Sequence, residues 1–111
     1  MRKINPTKIQ MTKAHNNVDR KAIVKVGDLK SNIQTINEAF LNPQEEFEPH
    51  VHVDCEEIYY IQKGVGILKI NLISYVVNEG DWIIIEQNEI HTLKNSSNAL
   101  LRYISIRVLV K

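Results

Sequence analysis

His50 and His52 stand two residues apart in Pro-His-Val-His-Val-Asp-Cys-Glu-Glu-Ile-Tyr-Tyr-Ile-Gln-Lys-Gly, residues 49–64 of a 111-residue chain. In an extended backbone side chains alternate faces, so the two imidazoles leave the same face with Cβ atoms about 7 Å apart. Neutral imidazole is the commonest protein ligand for a borderline metal, and two rings so placed can converge on one ion. A carboxylate is close at hand. After a polar corner at residues 53–56 the run Glu-Ile-Tyr-Tyr-Ile is β-branched and aromatic and predicts the next antiparallel strand, opened by Glu57 beside the histidines. Strand parity groups Glu57 with Tyr59 and Ile61, and Glu56 with Ile58, Tyr60 and Gln62; both faces are apolar, so alternation does not choose the carboxylate. A third nitrogen has to come from far along the chain, and His91 in Gln-Asn-Glu-Ile-His-Thr-Leu is the strong candidate. Three of the four histidines thus fall on one constellation, and the fourth, His15, lies in a polar N-terminal segment. Cys55, the single cysteine, sits nearby. It is a candidate thiolate ligand or oxidation-prone neighbour, and reads most simply as a loop thiol with no role.

The elements that must position these groups read as strands. Residues 1–18 are irregular and polar, broken by Asn5-Pro6, and predict an extended arm that pairs with a neighbouring strand or a partner subunit and covers a sheet edge. Strands are expected at residues 21–26, 33–40, 65–70, 74–77, 82–85 and 90–93, with a long final strand at 100–110. Trp82-Ile-Ile-Ile is apolar throughout, as in a strand buried on both faces, and residues 90–93 present His91. Nine or ten short strands with turns every 8–12 residues, and no convincing amphipathic helix, indicate an all-β sandwich or barrel. Residues 1–30 are expected to form the N-terminal arm and first strand of the same domain whose barrel occupies residues 31–111.

Bulk composition narrows the function classes. The length suits one domain with a single core. A formal net charge of +1 gives no reason to expect nucleic-acid binding. No apolar run approaches the roughly 20 residues of a membrane span, and Met-Arg-Lys-Ile-Asn-Pro lacks the apolar region of a signal peptide, so a cytoplasmic location is expected. A lone cysteine forms no internal disulfide, in keeping with a reducing compartment. Charge is nevertheless uneven. Residues 1–30 carry eight Lys/Arg against Asp19 and Asp28, whereas residues 31–62 carry seven carboxylates and no Lys or Arg. Glu45, Glu46, Glu48, Asp54 and Glu56 flank the first histidines, and Glu86 and Glu89 flank His91. This is a solvated acidic surface or an acidic pocket mouth, the latter disfavouring phosphorylated or carboxylate substrates.

These residues together resemble the cupins. The first cupin motif has His-x-His, three or four residues, Glu, six residues and Gly, which His50, His52, Glu57 and Gly64 match. The second has Gly, five residues, Pro-x-Gly, two residues, His, three residues and Asn; Gly80, His91 and Asn95 fall in register. The fifteen residues between Gly64 and Gly80 are similar to the short intermotif spacing of small microbial cupins. Three positions depart from the pattern: Gln44 stands for the first motif's leading Gly, and Glu86 and Asn88 stand for the Pro and Gly of the second. Asn tolerates the left-handed backbone a tight turn needs, so Asn88 is expected to replace Gly there.

The resemblance implies an RmlC-like double-stranded β-helix, a small jelly-roll barrel, commonly a homodimer with N-terminal strands exchanged or shared. It also implies a metal held by His50, His52, Glu57 and His91, the spacing to Gly64 selecting Glu57 over Glu56. Ligand softness leaves Fe, Mn, Ni, Co, Cu and Zn open as the one divalent transition metal. Such a site keeps coordination positions for water, substrate or dioxygen. Tyr59, Ile61 and Leu93 are expected to line a mostly apolar cup for a small-molecule ligand, with the Tyr59 hydroxyl a catalytic candidate. Arg102 and Tyr103 point opposite ways, so at most one enters the barrel. Three functions follow: a metal-dependent oxygenase or isomerase/lyase, a non-catalytic binding or sensing module, and a sugar-phosphate isomerase, the last disfavoured by the acidic rim.

Overall fold

The computed structural model describes residues 1–14 and 18–110, and His15 lies outside them. Nine strands form among the described residues: β1 (Thr12–Ala14), β2 (Val18–Val24), β3 (Ile33–Leu41), β4 (Cys55–Lys63), β5 (Val65–Ile70), β6 (Ile73–Asn78), β7 (Trp82–Ile85), β8 (His91–Asn95) and β9 (Leu101–Leu109). They build a six-stranded sheet in the order β1-β2-β3-β9-β4-β7 and a three-stranded sheet in the order β6-β5-β8. Their inward faces share one core that includes Leu41, Ile61, Tyr103 and Leu101 from the first sheet and Leu68, Val77 and Leu93 from the second. This is the all-β jelly roll, the double-stranded β-helix. No helix among the described residues is long and apolar enough to cross a membrane.

Strand alternation decides what faces inward. Along β9 Leu101 and Tyr103 are buried, so Ser105 and Arg107 share their face and Arg102 points the other way. Along β4 the buried set is Cys55, Glu57, Tyr59 and Ile61. The two strands pair with Glu57 opposite Arg107 and Tyr59 opposite Ser105, and β3 continues the rows with Thr35 opposite Arg107 and Asn37 opposite Ser105. Gly66 in β5 has its own reason: a Cβ there would lie 2.7 Å from the Lys94 carbonyl of β8, so only glycine lets the two strands approach.

Several sequence expectations need correction. The N-terminal arm is not simply extended, since Pro6–Lys8 form a 3-10 turn capped by the Asn5 side chain, but its β1 does pair with a neighbouring strand, antiparallel to β2 of its own chain. The first long strand starts at Val18 rather than at residue 21, because Val18 is buried and anchors it. Trp82 and Ile84 are 65% and 67% exposed, so β7 is not buried on both faces. Among the described residues it is an edge strand paired only with β4, and nothing covers its outward face; Trp82 stacks there on Tyr60 at 4.4 Å between ring centroids. The segment carrying His50 and His52 is not a regular strand either, since it contributes one isolated bridge, His50 to His91.

Candidate metal centre

That single bridge does the work expected of a strand. His50 N–H donates to the His91 carbonyl at 3.0 Å and His91 N–H donates to the His50 carbonyl at 2.9 Å. Residues paired in this way project their side chains to the same face, and the two imidazole centroids lie 4.2 Å apart. The chain beyond is tethered to the turn before β8: Asn88 N–H donates to the His52 carbonyl at 2.8 Å, and the Gln87 amide donates to the Val53 carbonyl. His52 is thereby set 4.9 Å from His50, centroid to centroid. Asn88 has φ 69°, so it adopts the left-handed turn expected of it, and Gln44 does the same with φ 66°. Both motif positions keep the backbone of glycine without being glycine.

His50, His52, Glu57 and His91 offer ligand atoms that all lie within 4.8 Å of one another. Glu57 Oε1 is 2.7 Å from His52 Nε2, 3.2 Å from His91 Nε2 and 3.8 Å from His50 Nε2. His91 is 1% exposed and Glu57 5%, while His50 and His52 are half-buried at the rim. Glu56 is exposed on the opposite face of β4 and takes no part. Cys55 is buried at the start of β4 rather than in a loop, outside the cluster, and burial pushes its thiol up and away from thiolate.

The protonation pattern bears on what the cluster can hold. In the metal-free protein burial acts to raise the Glu57 carboxyl, but once the surrounding imidazoles are protonated, hydrogen bonding from His50 and His91 and the charge of His52 outweigh it and hold the group well below the usual carboxylate range. Burial lowers His52, against the pull of Glu57, which favours its neutral ring. The His91 Nδ1–H donates to the Glu89 carbonyl at 3.0 Å and the His50 Nδ1–H to the Glu48 carbonyl at 3.2 Å. A carbonyl only accepts, so each ring carries its proton on Nδ1 and, when neutral, turns an Nε2 lone pair toward Glu57. His52 Nε2 is buried and makes no hydrogen bond of acceptable angle despite its closeness to Glu57. Electron-rich atoms gathered this tightly repel unless a cation sits among them. Backbone carbonyls on the far ring nitrogens are also the usual support of metal-ligating histidines. The donor set therefore fits one divalent transition metal.

Ser105, Phe47 and Thr92, which sequence reasoning missed, complete the surroundings together with the motif residue Asn95. Ser105 Oγ donates to Glu57 Oε2 at 2.9 Å and orients the carboxylate. Phe47, fully buried, packs 5.1 Å from the His50 ring, and its carbonyl accepts a hydrogen bond from Thr92 Oγ1. Asn95 is wholly buried and gives its amide to the carbonyls of Leu41 and Ala99 at 2.9 and 2.7 Å, so this motif residue clamps the loop before β9. The missed signal on β9 was parity: placing Tyr103 inward also places Ser105 and Arg107 inward. Tyr59 lies 6.3 Å from the His91 ring and 5.1 Å from the Tyr103 ring. Burial raises both phenols, so they are neutral hydrogen-bond donors at pH 7. Ile61 and Leu93 are fully buried in the core.

Beside Glu57 is a cavity with about 30 Å³ of free space, walled by Tyr59, Tyr103, Ser105 and Asn37 together with Arg20 and Arg107. Glu46, Glu48, Asp54, Glu56 and Glu86 are exposed on the outer surface. The acidic stretch thus does not set the sign of the cavity wall.

The cupin domain profile matches residues 37–107, well over half of the chain, and spans both clustered motifs. The protein belongs to the cupin family, as a small single-domain, metal-binding member. Its structure is similar to that of a predicted oxalate decarboxylase from Thermotoga maritima, with a TM-score of 0.92 and 20% identity over 98% of this chain and 100% of that one. It is also similar to the polyketide cyclase RemF from Streptomyces resistomycificus (TM-score 0.81, 17% identity, 97% and 79% covered) and to KdgF from a Halomonas species (0.76, 12%, 92% and 88%). No match is found among curated proteins.

Proposed function

We propose that His50, His52, Glu57 and His91 hold one divalent transition metal and that the protein is a metal-dependent enzyme, an oxygenase or an isomerase/lyase, acting on a small organic molecule. The observation that carries this reading is the meeting of three imidazole nitrogens and an ionised carboxylate beside a cavity, with His50 and His91 fixed in the ligating tautomer from behind. A bound ion would supply Lewis-acid polarisation of a substrate oxygen or binding of dioxygen. The chain's own groups do the rest. Ser105 orients Glu57, the bridge between His50 and His91 sets the approach of the two rings, and Tyr59 is a neutral donor able to give a proton or hydrogen bond to a ligand in the cavity. Names as different as decarboxylase and cyclase among the structural neighbours support small organic substrates in general and do not choose a reaction.

The small cavity favours a second reading, a non-catalytic binding module, because little room is left for a substrate to rearrange. A sugar phosphate is disfavoured by volume, since sites for drug-sized ligands measure roughly 300–1,000 Å³. Reconstitution with Fe(II), Mn(II), Ni(II), Co(II), Cu(II) or Zn(II), metal analysis, and dioxygen uptake across short-chain enols and diketones test the proposal. One metal per chain with turnover of any panel member supports the enzyme, stoichiometric metal with ligand binding and no turnover supports the binding module, and no stoichiometric metal overturns both.

A further inference from the structure

We propose that Arg20 and Arg107 form an anion subsite in the cavity wall and that the ligand of this protein enters as a small carboxylate. The second half rests on the metal-centre reading; the subsite itself does not. Arg107 sits directly opposite Glu57 across the β4–β9 pair, and Arg20 reaches the same cavity from β2. The Nε atoms of both are buried and have no hydrogen-bond partner among the described residues. Glu57, the only carboxylate in the cavity lining, is already engaged by the histidines and by Ser105, and among the described residues no carboxylate oxygen lies within 4.0 Å of either guanidinium.

Two half-buried guanidinium groups facing one committed carboxylate leave the wall net positive, and a divalent ion at the histidines would add to that excess. Guanidinium presents paired donors that match a carboxylate, and an ionised acceptor is the partner that offsets its desolvation. Asn37, Thr35 and Ser105 line the same wall and are polar, so the anion meets neutral hydrogen-bonding groups as well as charge. Roughly 10–15 Å³ of such space holds one water, so about 30 Å³ admits a group of only a few heavy atoms, the size of a short-chain acid. The exposed glutamates outside the cavity act through solvent and are screened within about 8–10 Å at ordinary salt. On this reading the acidic stretch is the solvated surface that the sequence also allowed, and it does not keep carboxylates from the cavity.

Arg102 provides an internal control, because its Nε is equally unpartnered while its side chain lies on the outer face of β9, away from the cavity. Acetate, with acetamide as its neutral counterpart, is titrated into metal-free and metal-loaded protein while the arginine Nε–Hε resonances are followed by NMR. The expected result is saturable acetate binding that shifts the Arg20 and Arg107 signals and leaves Arg102 unmoved, with no response to acetamide. Arg107→Gln and Arg20→Gln should each weaken acetate at least tenfold, Arg102→Gln should not, and metal content should match the wild type in all three. Equal acetate affinity in the Arg20→Gln/Arg107→Gln double variant, a response to acetamide, or no acetate binding in either form overturns the subsite. If the wild type takes up no metal but metal-free protein binds acetate through these arginines, the metal-centre reading fails and the subsite stands.

Discussion

The inward face of the six-stranded sheet has two unlike ends built from the same strands. At one end Ala39, Tyr103 and Ile61 line up across β3, β9 and β4, with Leu41 opposite Leu101 in the next row, and all are buried in the core. Two to four residues along each strand the rows become Asn37, Ser105 and Tyr59, then Thr35, Arg107 and Glu57. Hydrogen bonding of the backbone is alike at both ends; only the side chains change. The apolar end holds the two sheets together. The polar end places charge and hydrogen-bonding groups around a small cavity beside the apolar core. A fold of this size can afford such an end only because the rest of its face is close-packed.

Each prediction sets one end against the other. The largest effect is expected from His91→Ala, which removes a ligand from the polar end: metal affinity should fall by more than the ~10–100-fold lost when a mere supporting partner is removed. Circular dichroism should still report a folded β protein, and stoichiometric metal in the variant would erase the distinction between the ends. Ile61→Ala does the converse. It should cost roughly 2–5 kcal/mol of stability by urea denaturation, since Ile61 is fully buried, while the folded fraction keeps its metal.

Acid should act on the polar end. His52 has a lowered folded value, so below its ordinary 6.5 the unfolded chain binds the proton first, and stability is lost as pH falls toward the folded value. Glu57 has the same sign: its contribution is full above the ordinary 4.5 and declines as pH falls through its depressed folded value. The urea midpoint of metal-free protein should therefore drop between pH 7 and pH 3.5, and Glu57→Gln should flatten the lower part of that slope. An unchanged slope in the variant would place the acid sensitivity elsewhere. The smallest effect concerns Gln44, which holds a left-handed backbone costing about 1–2 kcal/mol for a residue with a Cβ. Gln44→Gly should stabilise by only ~0.5–1 kcal/mol, because glycine loses more entropy on folding. A measurable loss of stability would mean that the Gln44 amide bond to the Ser97 carbonyl outweighs the strain.

By itself the sequence determined the class of fold and the identity of the clustered side chains. Short β-branched runs between turn residues admit little besides a β barrel, and His50, His52, Glu57 and His91 occur at spacings that matched a known pattern. Local spacing could not say which face of a strand is covered, because Trp82-Ile-Ile-Ile has the same composition whether its strand is central or at an edge. The burial of Tyr103 over Arg102, the isolated bridge that brings His50 to His91, and the meeting of Arg20 with Arg107 depend on the register between strands far apart in the chain. Register is set by the packing of the whole inward face. For the same reason the acidity of residues 31–62 describes the solvated surface and not the cavity wall: charge counted along the chain ignores the side of the sheet on which each group emerges.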